Sequence, residues 1–224
     1  MQKVPLFLAL GALALAPLHP LLAADNTLTP EQKADGWTAL FDGQSLDGWS
    51  VKSGFATYKV EEGAIVGTTS SNSPNTFLTS DKAFGDFEMT VDVMLDDGGL
   101  NSGLQVRSKL KGEQHGGRLY GPQVEICPGV AGYIYGEATK YGWLSQERPS
   151  HKLFPLKQWV TFRVRAVGPK IETWISGQKV TELTLQNELA TDHAEGHFGL
   201  QVHGVGAKGP FTVRWKNIYL KPLK

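Results

Sequence analysis

Polar and apolar residues alternate in many short segments of this chain, and turn-forming residues separate one segment from the next. Phe87–Val93 alternates cleanly, and Val160–Arg165 does the same. Ile171–Ile175 runs into Ser176-Gly177 and returns through Lys179-Val180, which is the pattern of a β-hairpin. A period of two is typical of strands that bury one face and expose the other. The chain is therefore predicted to be an all-β protein, a jelly-roll sandwich of two antiparallel sheets.

The same alternation identifies a candidate core between two sheets packed about 10 Å apart. Nine apolar residues are predicted to be buried there: Trp49, Phe87, Val91, Phe162, Val164, Phe198, Leu200, Val213 and Ile218. Only the segment after Thr29 looks helical, with Thr29 as the N-cap and Pro30 at the first position. Residues 130–155 lack clear strand alternation, so they are predicted to form loops that cross one end of a sheet.

The first 24 residues have the pattern of a secretory signal peptide. Val4–Ala16 is almost wholly apolar, and Leu22–Ala24 offers a processing site. The apolar run is too short for a membrane span, so no membrane association is expected after cleavage. Residues 25–35 then form a short N-terminal segment, and residues 36–224 are predicted to be a single domain because no linker or repeat divides them. These features predict a periplasmic or secreted protein.

Composition excludes several classes of partner. The chain has 22 basic and 22 acidic residues and no basic run, which argues against nucleic acid and anionic membrane surfaces. Cys127 is the only cysteine, so no internal disulfide is possible and the fold must be stabilised by burial. Gly204–Gly209 matches the dinucleotide fingerprint, but Pro210 and a predicted strand follow it instead of a helix, which excludes that cofactor. No protein partner is indicated.

Three alternating segments carry side chains that are unusual for the exposed face of a strand. The segments are Asn101–Arg107, Gln123–Ile126 and Leu200–His203, and their polar positions are expected to line one concave pocket. Those positions hold Asn101, Gln105, Arg107, Gln123, Glu125, Gln201 and His203. Amides recognise hydroxyl groups, while carboxylates and imidazoles move protons. Tyr120 and Trp143 are predicted to contact a sugar as well, because pyranose C–H faces stack on aromatic rings.

The order of short motifs along the chain resembles that of the 3-keto-disaccharide hydrolase family, a set of exported bacterial domains. The matching motifs are Gly36–Gly43, Ser45–Trp49, Glu62–Gly67, Phe84–Glu88, Asn101–Leu104 with Arg107, Gln123–Ile126 and Gln201–Gly204. The resemblance covers the chain from about residue 36 to the C-terminus. It implies a concanavalin A-like jelly roll with its site on the concave sheet. It also implies activity on glycosides that have been oxidised to a ketone at sugar C3.

The candidate residues suit such a substrate better than an ordinary glycoside. Ordinary hydrolysis needs two carboxylates, but the relevant strand offers Gln123 and Glu125, so one expected acid is an amide. A ketone at C3 acidifies the C2–H bond, so one base can remove that proton, the C1 substituent can leave and water can add back. Glu125 is predicted to be this base, or the acid that protonates the leaving oxygen. Arg107 or a bound cation would stabilise the enolate, and His203 would be a second proton carrier or a metal ligand.

Other interpretations of the same residues stay open. Glu125 could be a solvated carboxylate paired with Arg107, and His203 could be structural. No cofactor is required by the sequence, and a divalent cation at Glu125 and His203 is possible although no compact ligand motif is present. The leading hypothesis is an exported enzyme that cleaves an oligosaccharide or glycoside. The alternatives are a non-catalytic carbohydrate-binding module and an interaction domain whose concave face meets another protein.

Overall fold

The computed structural model describes residues 24–223 and arranges them in two antiparallel sheets packed face to face. Its helices are α1 (Pro30–Ala34) and α2 (Asn187–Asp192), with a short 3₁₀ turn at Gln114–Gly116. Its strands are β1 (Thr38–Ala39), β2 (Trp49–Lys52), β3 (Thr57–Glu61), β4 (Ala64–Thr68), β5 (Thr76–Phe84), β6 (Phe87–Leu95), β7 (Ser102–Lys111), β8 (Arg118–Ile126), β9 (Ile134–Glu137), β10 (Gly142–Trp143), β11 (Val160–Val167), β12 (Lys170–Ile175), β13 (Gln178–Thr184), β14 (Gly196–Val202) and β15 (Thr212–Pro222). The prediction of an all-β jelly-roll sandwich is confirmed.

The strand order brings the three polar segments side by side. One sheet has the order β13-β12-β11-β6-β15-β4-β3, with β1 paired to β15. The other, which we call the site sheet, has the order β10-β9-β8-β7-β14-β5-β2. The polar segments lie at β7, β8 and β14, which are neighbours in the site sheet although β14 is distant from the other two in sequence.

The core lies between the two sheets, where the sequence predicted it. All nine predicted core residues are buried and belong to one apolar cluster. Phe87 and Phe198, which come from opposite sheets, meet edge to face with their ring centres 4.8 Å apart. Such aromatic pairs add to the stabilisation that burial alone provides.

The local predictions at turns and at the first helix are also confirmed. Ser176 and Gly177, which join β12 to β13, both have positive φ angles (48° and 81°), as a two-residue hairpin turn requires. At α1 the Gln32 backbone N–H donates to the Thr29 hydroxyl, and the Thr29 N–H donates to the Gln32 side chain. The helix α2 was not predicted, because its six residues are too few to establish a helical period.

Part of the stretch predicted to be loops is strand. Residues 134–137 form β9 and residues 142–143 form β10, and both extend the site sheet beyond β8. The prediction for residues 130–155 is therefore wrong in this part. The four residues of β9 do alternate, with Ile134 in the core and Tyr135 on the other face, but four positions are too few to stand out from a loop.

The predicted signal peptide lies outside the described residues, apart from Ala24 at its predicted end. The prediction of an exported protein therefore stays a prediction. No helix among residues 24–223 is long and apolar enough to cross a membrane.

Candidate active site

A cavity of about 480 Å³ opens on the site sheet and collects most of the predicted polar residues. Five predicted residues line it: Asn101, Gln123, Glu125, Trp143 and His203. Four further lining residues, which were not among the predicted site residues, are Asn75, Arg118, Tyr135 and Glu137. The cavity thus contains two carboxylates, one guanidinium, three amides, an imidazole and two aromatic rings.

The strand register explains why these side chains share a face. Gln123 of β8 lies opposite Gln105 of β7 and opposite Tyr135 of β9. Residues directly opposite each other in an antiparallel pair project to the same side of the sheet. Val124 and Ile126 project to the other side and are wholly buried in the core.

Glu125 is the most enclosed carboxyl group of the cavity, with only 5% of the residue exposed. Its Oε1 accepts a hydrogen bond from the Asn101 amide at 2.9 Å, and its Oε2 accepts one from the Gln123 amide at 3.1 Å. Gln123 in turn accepts from the Gln105 amide at 2.8 Å, and the Ser108 hydroxyl donates to Gln105. Gln105 therefore does not line the cavity; it supports the residue that holds Glu125.

Burial raises the pKa of Glu125 to about 7, and this effect exceeds the lowering by the hydrogen bonds from Gln123 and Asn101. The negative charge of Glu137 raises the pKa of Glu125 further. A carboxyl group that titrates near neutral pH can both accept and return a proton at the pH of most cells. The geometry and electrostatics of Glu125 therefore suit proton transfer.

Gly103 lies opposite Glu125 and provides the space that Gln123 occupies. A methyl group at position 103 would overlap the Gln123 side chain and would lie 2.5 Å from its amide nitrogen. Gln123 could not then hold both Gln105 and Glu125. We expect Gly103→Ala to lower the free energy of unfolding by about 1–3 kcal/mol, the usual cost of overpacking. We also expect it to reduce activity on the substrate proposed below, because Glu125 loses one of its two hydrogen-bond donors.

The matched control for this change is Gly85→Ala, because a methyl group there would meet its nearest neighbour, the Ala194 carbonyl, at 3.9 Å. Chemical denaturation and steady-state kinetics of both variants would measure the two effects. Equal stability and equal activity in the two variants would contradict the role assigned to Gly103.

Three side chains form a link across the cavity, which we call the arch: Asn75, Arg118 and Glu137. Oε1 of Glu137 accepts from Arg118 Nη2 at 3.1 Å and from the Asn75 amide at 3.2 Å. Asn75 also accepts a hydrogen bond from the Gly204 N–H at 2.9 Å. Asn75 directly precedes β5 and Glu137 ends β9, and three strands of the site sheet lie between β5 and β9. The arch therefore connects residues at the cavity that three intervening strands separate in the sheet.

Two aromatic rings form another wall. Tyr135 of β9 and Trp143 of β10 meet edge to face with ring centres 5.3 Å apart. The Arg148 guanidinium lies 4.6 Å from the centre of the Trp143 ring. Such rings offer the apolar surface on which the C–H face of a sugar can lie.

Arg107 is not part of the cavity, so the expectation that it would face the other polar residues is wrong. Its side chain is wholly buried; Nη1 donates to the Gly168 carbonyl at 2.7 Å and lies 3.6 Å from the Asp86 carboxylate. The cause is a β-bulge, because the register of β7 against β8 shifts between Gln105 and Lys109, and Arg107 itself has a positive φ of 48°. The bulge ends the alternation on which the expectation depended, and it also removes Arg107 as the partner of Glu125.

Two other predicted residues do not line the cavity. Gln201 is wholly buried, and neither of its amide atoms has a hydrogen-bond partner among the described residues. Tyr120 packs edge to face on His193, with ring centres 5.5 Å apart.

His203 and Glu125 both line the cavity, so they are the pair that could contact a divalent cation. Across residues 24–223, no group of three or more His, Cys, Asp or Glu side chains is placed to hold a metal ion. Any cation here would therefore need ligands from the amides or from a bound sugar.

The sequence analysis missed Glu137, Arg118 and Asn75, and it placed Tyr135 in a loop. The only signal for Tyr135 and Glu137 was the brief alternation of Ile134–Glu137, in which Ile134 and Gly136 occupy the positions between the polar ones. Arg118 and Asn75 lie at or just before the start of a strand, so their positions follow from chain folding and not from periodicity.

A two-sheet antiparallel sandwich with carboxylates, amides and aromatic rings around one cavity has the architecture of a carbohydrate-active jelly-roll protein. Residues 36–221 match the 3-keto-α-glucoside-1,2-lyase-like domain, and the chain belongs to this family. The resemblance drawn from the sequence motifs is thereby confirmed. Family membership supports a carbohydrate-related function.

Solved structures share the fold at low sequence identity. A candidate glycosyl hydrolase from Parabacteroides distasonis is 21% identical, with a TM-score of 0.66, over 90% of this chain and 100% of that one. The carbohydrate-binding module CBM66 of Bacillus subtilis is 16% identical, with a TM-score of 0.57, over 78% of this chain and 95% of that one. The Bacillus licheniformis β-glucanase is 11% identical, with a TM-score of 0.54, over 80% of this chain and 94% of that one. No functionally curated protein matches this chain.

Proposed function

We propose that this protein cleaves the glycosidic bond of a 3-keto glycoside and that Glu125 carries the proton. The observation that carries the proposal is a nearly buried carboxyl group, with its pKa raised to about 7, that is fixed by two amides at the wall of a polar cavity. The family name supports the choice of a 3-keto sugar, because it describes a lyase-like domain for 3-keto-α-glucosides.

The chemistry needs one base and one place for negative charge. The sugar ring lies against Trp143 and Tyr135 with its C2–H bond toward Glu125. Ionised Glu125 takes the C2 proton, and the electron pair of that bond forms the enolate of the C3 ketone. The enolate then expels the C1 substituent, whose oxygen takes a proton from Glu125 or His203. Water adds to the resulting enone, so that the net change is hydrolysis to a free 3-keto sugar and an alcohol.

The two amides around Glu125 and its burial have opposite effects on the ionisation of its carboxyl group. Asn101 and Gln123 each donate to a different carboxylate oxygen, so they fix the direction of the group and favour its ionised form. Burial opposes ionisation and keeps the proton affinity high. The balance leaves a base that is strong enough to attack a C–H bond yet is ionised near neutral pH.

A product assay tests the proposal directly. The protein would be incubated with 3-keto-trehalose and with methyl 3-keto-glucoside, with and without a chelator, and free 3-keto sugar would be measured. We expect free 3-keto sugar to be released from both substrates. Activity that is lost with the chelator and restored by a divalent ion would show that the reaction requires a cation, which Glu125 and His203 would bind. Binding of these sugars with no release in any condition would favour the carbohydrate-binding module instead.

The pH dependence of the reaction follows from the raised pKa of Glu125. Only the ionised carboxylate can take the C2 proton, so kcat/KM is expected to fall about tenfold per pH unit well below pH 7 and to level off above it. The other ionisable groups around Glu125 are Glu137, Arg118, His203 and the nearby Cys127. A pH profile of His203→Asn is the control, because it removes the imidazole and keeps a hydrogen-bonding side chain. A profile that loses its acid limb in this variant would assign the titration to His203.

One observation favours a second candidate function. The sequence offered a single carboxylate for the cavity, but the structure adds Glu137, so the pair that ordinary glycoside hydrolysis needs is present. In that case Glu125, with its raised pKa, would be the general acid and Glu137 the nucleophile or base. Assays of unoxidised aryl glucosides beside the 3-keto substrates separate the two functions, since only ordinary hydrolysis acts on the unoxidised sugar.

A further inference from the structure

We infer that Arg118, held in place by Glu137, is the catalytic cation that stabilises the enolate oxygen in the proposed reaction. This inference rests on the proposed function and assigns a residue that the sequence patterns did not identify. Arg118 would donate hydrogen bonds to the C3 oxygen while Glu125 removes the C2 proton. Glu137 would be a positioning residue, because it acts only through Arg118.

The reaction requires positive charge near the ketone, and the composition of the cavity leaves one strong candidate. Removing the C2 proton moves a negative charge from Glu125 to the C3 oxygen, where a cation or hydrogen-bond donors must meet it. Arg107 was expected to fill this role, but it is buried against Gly168 and Asp86 outside the cavity. Among the described residues that line the cavity, Arg118 is the only Arg or Lys.

The contacts of Arg118 fix it without using up its donors. Its Nη2 donates to Glu137 Oε1 at 3.1 Å, and a guanidinium has five N–H groups in a planar fork. Glu137 is only 6% exposed and also accepts from Asn75, so the anchor is itself held. About half of the Arg118 side chain is exposed, which leaves N–H groups free to meet a ligand in the cavity. Fixed donors of this kind stabilise a developing charge better than mobile ones, because they need no reorganisation.

A competing role for Arg118 arises from its position. Arg118 and Asn75 also line a neighbouring groove, together with Asn72, Ser73 and Gly204. If the departing group lies in that groove, Arg118 would contact the departing group and not the ketone. The two roles predict different effects on the first chemical step, which can be measured alone.

The experiment uses a substrate analogue without a leaving group, 1,5-anhydro-3-keto-glucitol, and follows exchange of its C2 hydrogen with D₂O by NMR. We expect the parent protein to catalyse this exchange and Arg118→Ala to slow it by roughly 10²–10³-fold, the usual effect of losing an oxyanion-stabilising donor. We expect Arg118→Lys to keep part of the rate, because it keeps the charge, and Glu137→Gln to lose about tenfold. Added guanidinium ion at millimolar concentration should restore part of the rate to Arg118→Ala and none to Glu125→Gln.

The matched control is Arg163→Ala, because Arg163 also forms an ion pair with a glutamate, Glu88, but on the other sheet. It should not change the exchange rate. Exchange that persists in Arg118→Ala while cleavage of 3-keto-trehalose falls would overturn the inference and assign Arg118 to the departing group. Absence of both exchange and cleavage in the parent would instead refute the proposed function. A loss in Arg118→Ala that guanidinium does not restore and that accompanies a lowered melting temperature would show a structural role only.

Discussion

Replacing Glu125 by Gln is expected to lower the turnover of a 3-keto glycoside by roughly 10²–10⁴-fold, the usual range for losing general acid–base catalysis. The amide keeps the shape of the side chain and still pairs with hydroxyl groups, but it cannot take a proton. The dissociation constant of the sugar should therefore change little. Isothermal titration calorimetry of a 3-keto sugar, beside steady-state kinetics of the same preparation, measures the two quantities.

Glu125→Gln is also expected to change how the stability of the protein depends on pH, and this effect can be measured without a substrate. Burial raises the pKa of Glu125 from 4.5 to about 7, so between these values the folded protein holds a proton that the unfolded chain releases. The contribution of Glu125 to the free energy of unfolding of the parent therefore falls as pH rises through this window, by about 3 kcal/mol, and stays level above it. Glu125→Gln does not titrate there, so its stability relative to the parent should rise by that amount from pH 4.5 to pH 7. A pH-independent difference, or a variant with more than half the parental activity, would refute the role of Glu125.

Replacing Arg107 by Ala is expected to lower the free energy of unfolding by about 3 kcal/mol, because it empties the space of a large, wholly buried side chain. The Arg107 guanidinium is wholly enclosed and donates to the Gly168 carbonyl, and it faces the Asp86 carboxylate at 3.6 Å. It thereby joins β7 to the β11–β12 turn and to the β5–β6 turn. Denaturation in guanidinium chloride or urea would measure the loss, while activity per folded molecule should be unchanged.

The control for Arg107 is Asp86→Asn, which keeps the shape and removes only the charge of a partly exposed partner. Its expected cost is below about 1 kcal/mol, as for other pairs that are open to solvent. A large loss of turnover in Arg107→Ala at unchanged stability would return Arg107 to the catalytic groups. The sequence had placed it there because it alternates in step with Asn101 and Gln105.

The fold could be predicted from the sequence because burial repeats with a regular period. Phe162 and Val164 alternate with polar residues along β11, and the structure buries both. The same regularity brought Asn101, Gln123 and Glu125 to one face, where each lines the cavity. Where the backbone follows the ideal strand, sequence alternation and side-chain direction agree.

The rest of the site depends on features that have no period. One extra residue in the bulge of β7 directs the Arg107 side chain away from the cavity, and the alternation of residues does not predict a bulge. Glu137 lies in a four-residue strand, and its partners Arg118 and Asn75 come from distant parts of the chain. Contacts of this kind depend on how the loops fold over the sheet, which residue patterns do not record.

The arch also determines what size of molecule can enter. Asn75 and Glu137 form a hydrogen bond although three strands of the site sheet lie between their own strands. The polar face of the site sheet is therefore not an uninterrupted groove. A long polysaccharide that ran across this surface would be obstructed where the side chains join. A mono- or disaccharide, or the terminal unit of a longer chain, would not have to pass this junction. On the proposed function, we therefore expect small glycosides and chain ends to be cleaved faster than the interior of a polymer.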